Sequence, residues 1–505
     1  MIEPAFQRFS DLYDKRQPQL VATKLIGDLE TPVSAFLKLT KGREGNCFLL
    51  ESVEGNASRG RYSMIGLDPD ILWRAQGDKA EINRSALHQT TEFTPCPLPP
   101  LASLRALIAE SAIDSPADLP PMAAGVFGYL GYDMVRQMER LAPAKADPLG
   151  VPDAVMMRPT MMVVFDTVRD EIHVITPVRP VADITAKAAY AQATLRIEAI
   201  VAVLEGPLAH DMPEVDPYLL AQSAQSNTSE ARYLEMVERA KEHIVAGDIF
   251  QVVLSQRFSA PFALPAFALY RALRRINPAP FLCYLDFGGF QIVCSSPEIL
   301  VRLRDGKVTI RPIAGTRPRG ANLAEDKAME LELLADQKEC AEHLMLLDLG
   351  RNDVGRVAKI GTVEVTDKFF VERYSHVMHI VSNVEGQLDA RFDAIDALSA
   401  GFPAGTVSGA PKVRAMQIID DLEGDKRGIY GGCIGYFGAS GEMDTCIVLR
   451  TSVVKDGMMH VQAGAGIVYD SVPASEQAEC GNKARALFRA AEEAVRFATR
   501  ARRGQ

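Results

Sequence analysis

The feature that most constrains the fold is a set of tight-turn signals in the second half of the chain. Two-residue turns stand between strand-like runs at Asp305-Gly306, Ser440-Gly441 and Asp456-Gly457. Such dipeptides favour the turns that join neighbouring antiparallel strands. Long helical patterns fit the segments 324–347, 411–422 and 474–497. The sequence therefore predicts an α+β fold, in which antiparallel sheets and flanking helices form layers.

Other segments carry weaker secondary-structure signals. Strand-like runs lie at 47–52, 161–164 and 172–175, and a helix fits 186–204. In the second half, Ser229 is placed to cap a helix that Gly247 ends. The strand predicted at 249–257 alternates with period two, so Gln251 and Ser255 share one face.

A polar connector divides the chain into two blocks. The segment 205–228 holds three prolines and a run of Gln, Ser, Asn and Thr, which is typical of a linker or a surface loop. A chain of 505 residues is long enough for two large domains. We therefore predict an N-terminal domain over 1–204 and a C-terminal domain over 229–505.

Composition argues against several classes of protein. The chain has 55 Lys and Arg against 65 Asp and Glu, and this net charge of -10 disfavours a nucleic-acid partner. No run approaches the roughly 20 apolar residues of a membrane helix, and the first residues lack the form of a signal peptide. The eight Cys form no CxxC pair, which favours reduced, buried thiols in a cytoplasmic protein.

Carboxylates at helical spacing are the first candidates for chemistry. Glu339 and Glu342 share a face of one predicted helix, and Glu476 and Glu479 share a face of another. Mg²⁺ prefers carboxylate oxygens, so two such helices could build a metal site. Spacing alone favours the simpler interpretation, because most paired glutamates lie on solvated helix faces.

Glycine-rich segments are the second candidates. The segment 311–320 combines three Arg with Gly and Thr, 402–412 leads into a helix, and 462–466 ends a strand. Each one alone predicts a tight turn, but three of them with Arg nearby indicate a site for an anionic small molecule. His379 lies in an alternating segment, where a lone His is more often structural than catalytic.

Seven motifs stand in the order of a known family. They are LLES (49–52), RYSMIG (61–66), PIAGTRPRG (312–320), EHLMLLD (342–348), RND (351–353), GTVSGAPK (405–412) and EC (479–480). With these motifs the chain resembles the chorismate-utilising enzymes, and among them the anthranilate synthase component I family, over nearly its whole length. The resemblance implies a lyase that converts chorismate and ammonia to anthranilate and pyruvate, the first committed step of tryptophan biosynthesis.

The resemblance implies a set of ligands for metal and substrate. Glu342 and Glu479 would hold Mg²⁺, with Glu339 and Glu476 in support. The residues that would bind chorismate are Gly315, Thr316, Tyr430, Arg450, Gly464, Ala465, Gly466 and Lys483.

Catalytic roles follow from the same resemblance. Glu298 would protonate the departing C4 hydroxyl, and His379 and Thr406 would lie beside the C2 proton and the enolpyruvyl group. Related synthases that activate water carry Lys where this chain has Gln251, and those that attack with an enzyme amine carry Lys where it has Ala314. Because both positions are non-basic here, ammonia is the expected nucleophile. An aminodeoxyisochorismate synthase without the elimination step and a non-catalytic tryptophan-sensing relative stay open as alternatives.

Regulation and partners are implied as well. Tryptophan would bind between two segments, against Leu50, Glu51, Ser52, Pro280, Phe281 and Leu282. The family usually has Tyr and Met at the last two positions, and the replacements here keep size and apolarity. The sequence shows no glutaminase signature, so a separate glutamine amidotransferase subunit (component II) would supply ammonia, in a heterotetramer by resemblance.

Overall fold

The computed structural model describes residues 1–53, 59–208, 224–374 and 377–500. Within these ranges there are eleven α-helices: α1 Phe6–Tyr13, α2 Pro32–Thr40, α3 Pro100–Glu110, α4 Ala186–Glu205, α5 Glu230–Val245, α6 Ala266–Ile276, α7 Leu323–Ala335, α8 Gln337–Gly355, α9 Ala394–Gly401, α10 Lys412–Leu422 and α11 Pro473–Arg500. Short 3-10 helices lie at Tyr132–Gln137 and Gly405–Val407.

The same ranges contain twenty-two strands. They are β1 Gln19–Ile26, β2 Cys47–Val53, β3 Arg59–Gln76, β4 Lys79–Asn83, β5 Thr94–Pro95, β6 Gly125–Leu130, β7 Ala154–Asp166, β8 Glu171–Val178, β9 Gln225–Ser226, β10 Gln251–Pro261, β11 Phe281–Asp286, β12 Gln291–Ser296, β13 Ile299–Arg304, β14 Lys307–Ile310, β15 Ile313–Pro318, β16 Glu364–Arg373, β17 Val377–Gln387, β18 Gly409–Ala410, β19 Cys433–Gly438, β20 Met443–Ile447, β21 Thr451–Lys455 and β22 Met458–Ile467. The three predicted hairpins are confirmed as the pairs β13–β14, β19–β20 and β21–β22.

The long helix predicted over 324–347 is wrong as a single element. α7 ends at Ala335, and α8 begins two residues later. Between them, the Asp336 carboxylate accepts hydrogen bonds from the amides of Lys338 and Glu339, at 3.0 and 3.2 Å. A side chain that caps a new helix competes with continuation of the previous one. Glu339 and Glu342 therefore lie in the first turns of α8.

The strands form two sheets that share the long strands β3 and β7. These two strands pair with each other from Tyr62 opposite Asp166 to Ala75 opposite Ala154. Part of this ribbon continues into a first sheet of order β1-β8-β7-β3-β2-β11-β12-β21-β22-β10. The rest continues into a second sheet of order β4-β3-β7-β6-β19-β20-β13-β14-β17. β15 and β16 also pair with β17, and every pairing named here is antiparallel.

Apolar side chains hold the sheets and helices in layers. One buried cluster lies between the first sheet and α1, α2, α4, α6 and α11. A second joins the second sheet to α3, α8, α9 and α10. A third lies between the sheets, where the rings of Phe48 and Phe127 stack at 4.7 Å. The predicted α+β fold of antiparallel sheets with flanking helices is thereby confirmed.

Strand pairing joins the two blocks of the chain. β2 pairs with β11, and β6 pairs with β19, across the connector in sequence. The domain division at 1–204 and 229–505 stays a prediction, and residues 209–223 of the connector lie outside the described residues. No helix in the described ranges combines the length and apolarity needed to cross a membrane.

Candidate functional site

A cavity of about 760 Å³ lies between α11, β17 and the segment 276–280. Glu479 and Lys483 line it from α11, His379 lines it from β17, and Arg450 lines it from the connection between β20 and β21. The fold therefore brings four of the residues predicted for metal, substrate or catalysis to one cavity from three distant parts of the sequence.

Glu298 lies where the chain crosses from β12 in the first sheet to β13 in the second. Its side chain is buried, and Thr406 Oγ1 donates to the carboxyl group at 3.3 Å from each oxygen. Burial raises the pKa of Glu298 to about 8, although the Thr406 hydrogen bond and the charge of Arg450 oppose this shift. At neutral pH the carboxyl group is therefore mostly protonated and can donate a proton to a leaving group.

His379 is held as a neutral ring of one tautomer. Its Nδ1 lies 2.9 Å from the Gly315 carbonyl oxygen and 3.1 Å from Thr316 Oγ1. Because a carbonyl oxygen only accepts, Nδ1 carries the proton and Nε2 keeps its lone pair. Burial lowers the pKa of His379. The Gly315 turn has φ +68°, and a Cβ there would lie 3.2 Å from Glu339 Oε2. This turn therefore depends on glycine.

Glu342 is a half-buried carboxylate surrounded by further negative charge. Gln251 Nε2 donates to Glu342 Oε1 at 3.4 Å. Burial raises the pKa of Glu342, and the charges of Glu339 and Glu479 raise it further. Glu479 forms an ion pair with Lys483, whose Nζ lies 2.7 Å from the carboxylate, whereas Glu342 makes no ion pair within the described part of the chain. Like charges held together in this way favour a cation as their partner.

The four carboxylates of Glu339, Glu342, Glu476 and Glu479 fit a divalent cation such as Mg²⁺. Within the described ranges, no three of these carboxylates approach within 4.8 Å of one another. The chain thus offers one or two carboxylates rather than a closed cage, and Mg²⁺ usually keeps positions for water and substrate. Burial also raises the pKa of Glu476, and the charge of Glu479 adds to this shift.

Arg450 presents a guanidinium group to the cavity. It lines the cavity, has φ +48°, and makes no ion pair among the residues that the structure describes. Its backbone is fixed because the Ser295 amide donates to the Arg450 carbonyl at 3.2 Å. A guanidinium presented in this way can bind a carboxylate with two hydrogen bonds.

The last residues of β22 pack closely against Tyr430 and Lys483. Lys483 Nζ donates to the Gly464 carbonyl at 2.9 Å. A Cβ at Gly464 would lie 2.9 Å from the Tyr430 hydroxyl, and one at Gly466 would lie 2.5 Å from Gln251 Nε2. Ala465 alternates with these glycines and is fully buried in the core. The small residues therefore leave room for Gln251 and Tyr430.

Comparison with known proteins decides the family. A model of the family described as chorismate binding enzyme matches residues 47–489. Over 502 residues the chain is 56% identical to "Anthranilate synthase component 1" of Cereibacter sphaeroides, covering 99% of this chain and 100% of the relative. The chain is a chorismate-binding enzyme.

Two further relatives carry the same name, and a more distant protein shares the fold. The protein of the same name from Pseudomonas putida is 47% identical over 476 residues, covering 93% of this chain and 94% of that one. Anthranilate synthase component I from Streptococcus pneumoniae superposes with TM-score 0.75 at 36% identity, over 92% of this chain and 98% of that one. The menaquinone-specific isochorismate synthase of Escherichia coli shares the fold at TM-score 0.69 and 18% identity, over 97% of this chain and 99% of that one.

The two segments predicted to bind tryptophan are neighbours in this chorismate-binding enzyme. In the β2–β11 pair, Ser52 lies opposite Phe281 and Glu51 lies opposite Leu282. Ser52 Oγ donates to the Tyr62 carbonyl at 3.0 Å. The Glu51 carboxylate is buried and already accepts hydrogen bonds from the Arg274 guanidinium, at 2.6 and 3.0 Å. An amino-acid ammonium at Glu51 would therefore have to share it with Arg274.

The arginines of 311–320 are paired with carboxylates of the protein. Arg317 Nη2 lies 2.7 Å from Asp336, Arg319 donates to Asp326 at 3.0 Å, and Arg311 pairs with Glu372. The three guanidinium groups of this segment therefore form ion pairs with protein carboxylates, and the prediction of an anion site near the glycine-rich segments stays a prediction. Lys412 of the second glycine-rich segment is likewise buried in an ion pair with Asp353, at 2.8 Å.

Sequence reasoning missed Tyr374. It lines the cavity, and its ring centroid is 5.5 Å from that of His379. Its hydroxyl donates to Glu372 Oε2 at 2.7 Å. No motif singles it out, and only its position just before β17, the strand of His379, could have drawn attention to it. Asn482 and Arg489 of α11 also line the cavity without a sequence signal.

Proposed function

We propose that this chorismate-binding enzyme is an anthranilate synthase large subunit, which converts chorismate and ammonia to anthranilate and pyruvate. The observation that carries the proposal is the full-length likeness to proteins of that name, at up to 56% identity. The neutral amide of Gln251, hydrogen-bonded to Glu342, supports it because no basic group stands there to activate water.

The described side chains suit the proposed steps. Arg450 is available for a carboxylate of chorismate, and the protonated Glu298 can give its proton to the departing C4 hydroxyl. His379 Nε2, which has its lone pair free, can take up the C2 proton during loss of pyruvate. Mg²⁺ bound by Glu342 and Glu479 would orient the ring carboxylate and offset its charge.

The first experiment tests the reaction directly. We expect the purified chain with chorismate, Mg²⁺ and ammonium at mildly alkaline pH to produce anthranilate, followed by fluorescence, and pyruvate in equal amount. Chromatography of the products separates the alternatives. Aminodeoxyisochorismate without pyruvate would indicate a synthase that lacks the elimination step, and no product from chorismate would indicate a non-catalytic relative.

We propose that ammonia normally reaches the site from a partner. The name "component 1" of the relatives implies a second component, and we assign that role to a glutamine amidotransferase subunit, in a heterotetramer. In the same assay the chain alone should therefore not use glutamine. A cytoplasmic location is supported by the eight cysteines, which are all free thiols.

We further propose that tryptophan inhibits the enzyme by binding at the β2–β11 segments. Pro280, directly before β11, lines the catalytic cavity, so a ligand at these segments has a short physical route to the site. Tryptophan can inhibit only by binding the low-activity state more tightly, and chorismate must then weaken tryptophan binding by the same factor.

Ser52→Phe should weaken tryptophan binding by about tenfold or more, because a bulky ring crowds the end of β2. Turnover without tryptophan should stay largely unchanged. Isothermal calorimetry measures the affinity. Thr160→Phe is the matched control, since Thr160 also donates its hydroxyl to a strand carbonyl, that of Asp68 at 2.7 Å. Equal tryptophan affinity in the unaltered chain and the Ser52 variant would place the regulatory site elsewhere.

A further inference from the structure

Three cysteine thiols meet in the apolar interior between the two sheets. Cys283 and Cys294 lie opposite each other on β11 and β12 of the first sheet, and Cys446 comes from β20 of the second. Their sulfur atoms all lie within 4.8 Å of one another. The residues are only 4%, 0% and 1% exposed, and all three are free thiols.

We propose that Cys283, Cys294 and Cys446 form a three-thiol site for a neutral trivalent thiol-binding species of the arsenous acid type, and that its occupation inactivates the enzyme. A centre equidistant from three sulfurs 4.8 Å apart lies about 2.8 Å from each, close to the roughly 2.3 Å of metal–sulfur bonds. A small inward movement of each sulfur therefore completes the site.

The charge of the bound species determines which kind of species this site can hold. Three thiolates around a monovalent or divalent ion would leave net negative charge among apolar side chains, which is costly. Three thiolates around a trivalent centre leave no net charge. The charged group that acts on Cys283 is the Asp444 carboxylate, which is itself negative and disfavours a further anion. A buried structural zinc site would also need a fourth protein ligand, and the cluster in the described residues has three.

The binding step balances without an oxidant or a reductant. Three S–H groups react with one As(OH)₃, three As–O bonds break, three As–S bonds form, and three water molecules leave. Each thiol proton departs with a hydroxide of the arsenic centre. Both reactants and the product are neutral, so no charge enters the core.

The cluster lies directly behind the proposed catalytic groups. Cys294 is followed in the chain by Ser295, whose amide donates to the Arg450 carbonyl at 3.2 Å. Cys446 is followed by Ile447, whose amide donates to the Glu298 carbonyl at 3.0 Å. Drawing the three sulfurs together would shift both of these hydrogen-bonded backbone segments. A displacement near 1 Å at a reacting group can lower turnover on the order of 10²-fold.

The test uses the full chain and sodium arsenite. One sample is incubated folded, and a second is refolded with arsenite, because the thiols are buried. We expect intact-mass spectrometry to show one arsenic per chain with loss of three hydrogens, and thiol titration after denaturation to show loss of three of the eight thiols. Anthranilate formation should fall on the order of 10²-fold, and an added dithiol should restore it.

Single variants Cys283→Ala, Cys294→Ala and Cys446→Ala should each abolish the arsenic adduct. Cys433→Ala is the matched control, because Cys433 is equally buried on β19 and outside the cluster, and it should keep the adduct. The mass readout does not depend on the proposed catalytic function. No adduct in either sample, an unchanged adduct in any cluster variant, or tight one-to-one binding of Zn²⁺ through the same thiols would overturn the proposal.

Discussion

Glu298→Gln should lower turnover by about 10²- to 10⁴-fold, the usual contribution of a positioned general acid. The amide keeps the size of the side chain and can still accept from Thr406, but it has no proton to give to the leaving hydroxyl. Steady-state anthranilate fluorescence measures the loss. Glu442→Gln is the matched control, since burial also raises the pKa of Glu442. Glu442 lies on the β19–β20 hairpin, outside both the 760 Å³ cavity and the small pocket that Glu298 and Thr406 line.

Glu298 also determines the direction in which turnover and stability change with pH. Glu298 acts in its protonated form, so turnover at constant free ammonia should fall as pH rises through about 8. The pKa in the folded chain is raised above the ordinary 4.5, so the stabilising effect of the protonated state is complete below pH 4.5 and is lost as pH rises through about 8.

Glu298→Gln should therefore raise the melting temperature at pH 9 and leave it nearly unchanged at pH 4, measured by differential scanning calorimetry. A stabilised but inactive variant is the expected combination. Full turnover in this variant, with the ordinary pH profile, would show that another group protonates the leaving hydroxyl.

Glu342→Gln and Glu479→Gln should each lower turnover by about 100-fold or more, because each removes a charge from the proposed Mg²⁺ site while keeping its shape. The loss should be largest at low Mg²⁺ concentration, and excess Mg²⁺ should partly restore activity. Turnover measured across a Mg²⁺ titration separates weaker metal binding from a lost catalytic group.

Two controls make this test specific. Glu492→Gln alters an exposed carboxylate farther along α11 and should leave both turnover and Mg²⁺ dependence unchanged. Calorimetry of Mg²⁺ binding gives a readout apart from activity, and both site variants should bind the ion more weakly. Near-normal turnover of both variants at low Mg²⁺ would place the metal elsewhere.

Local patterns in the sequence were enough to predict much of the secondary structure. The three hairpins formed at the predicted dipeptides because turn geometry depends on the residues in the turn itself. Ser229 caps α5 as predicted, since its hydroxyl needs only the nearby Arg232 amide, at 3.3 Å. The break at Asp336 was missed because helical periodicity continues through it, and only the cap geometry ends α7.

The order of the motifs in the sequence predicted both the site residues and the family. It did not predict which partners the motif residues bind. The arginines of 311–320 are typical of anion binding, yet they pair with Glu372, Asp336 and Asp326, which come from other elements. A guanidinium has the same sequence signature whether its partner is a ligand or a protein carboxylate, so only the fold distinguishes the two.

The sequence by itself determined the α+β class, the three hairpins, the positions of several long helices and the family, because these depend on neighbouring residues or on motif order. Tertiary structure decided the rest. It joined two sheets through β3 and β7, buried Glu298 at the crossing between them, and fixed the tautomer of His379 through the Gly315 carbonyl. It also brought three separate cysteines together. Burial and hydrogen-bond partners come from residues far apart in the chain, and these set the pKa values on which the proposed chemistry depends.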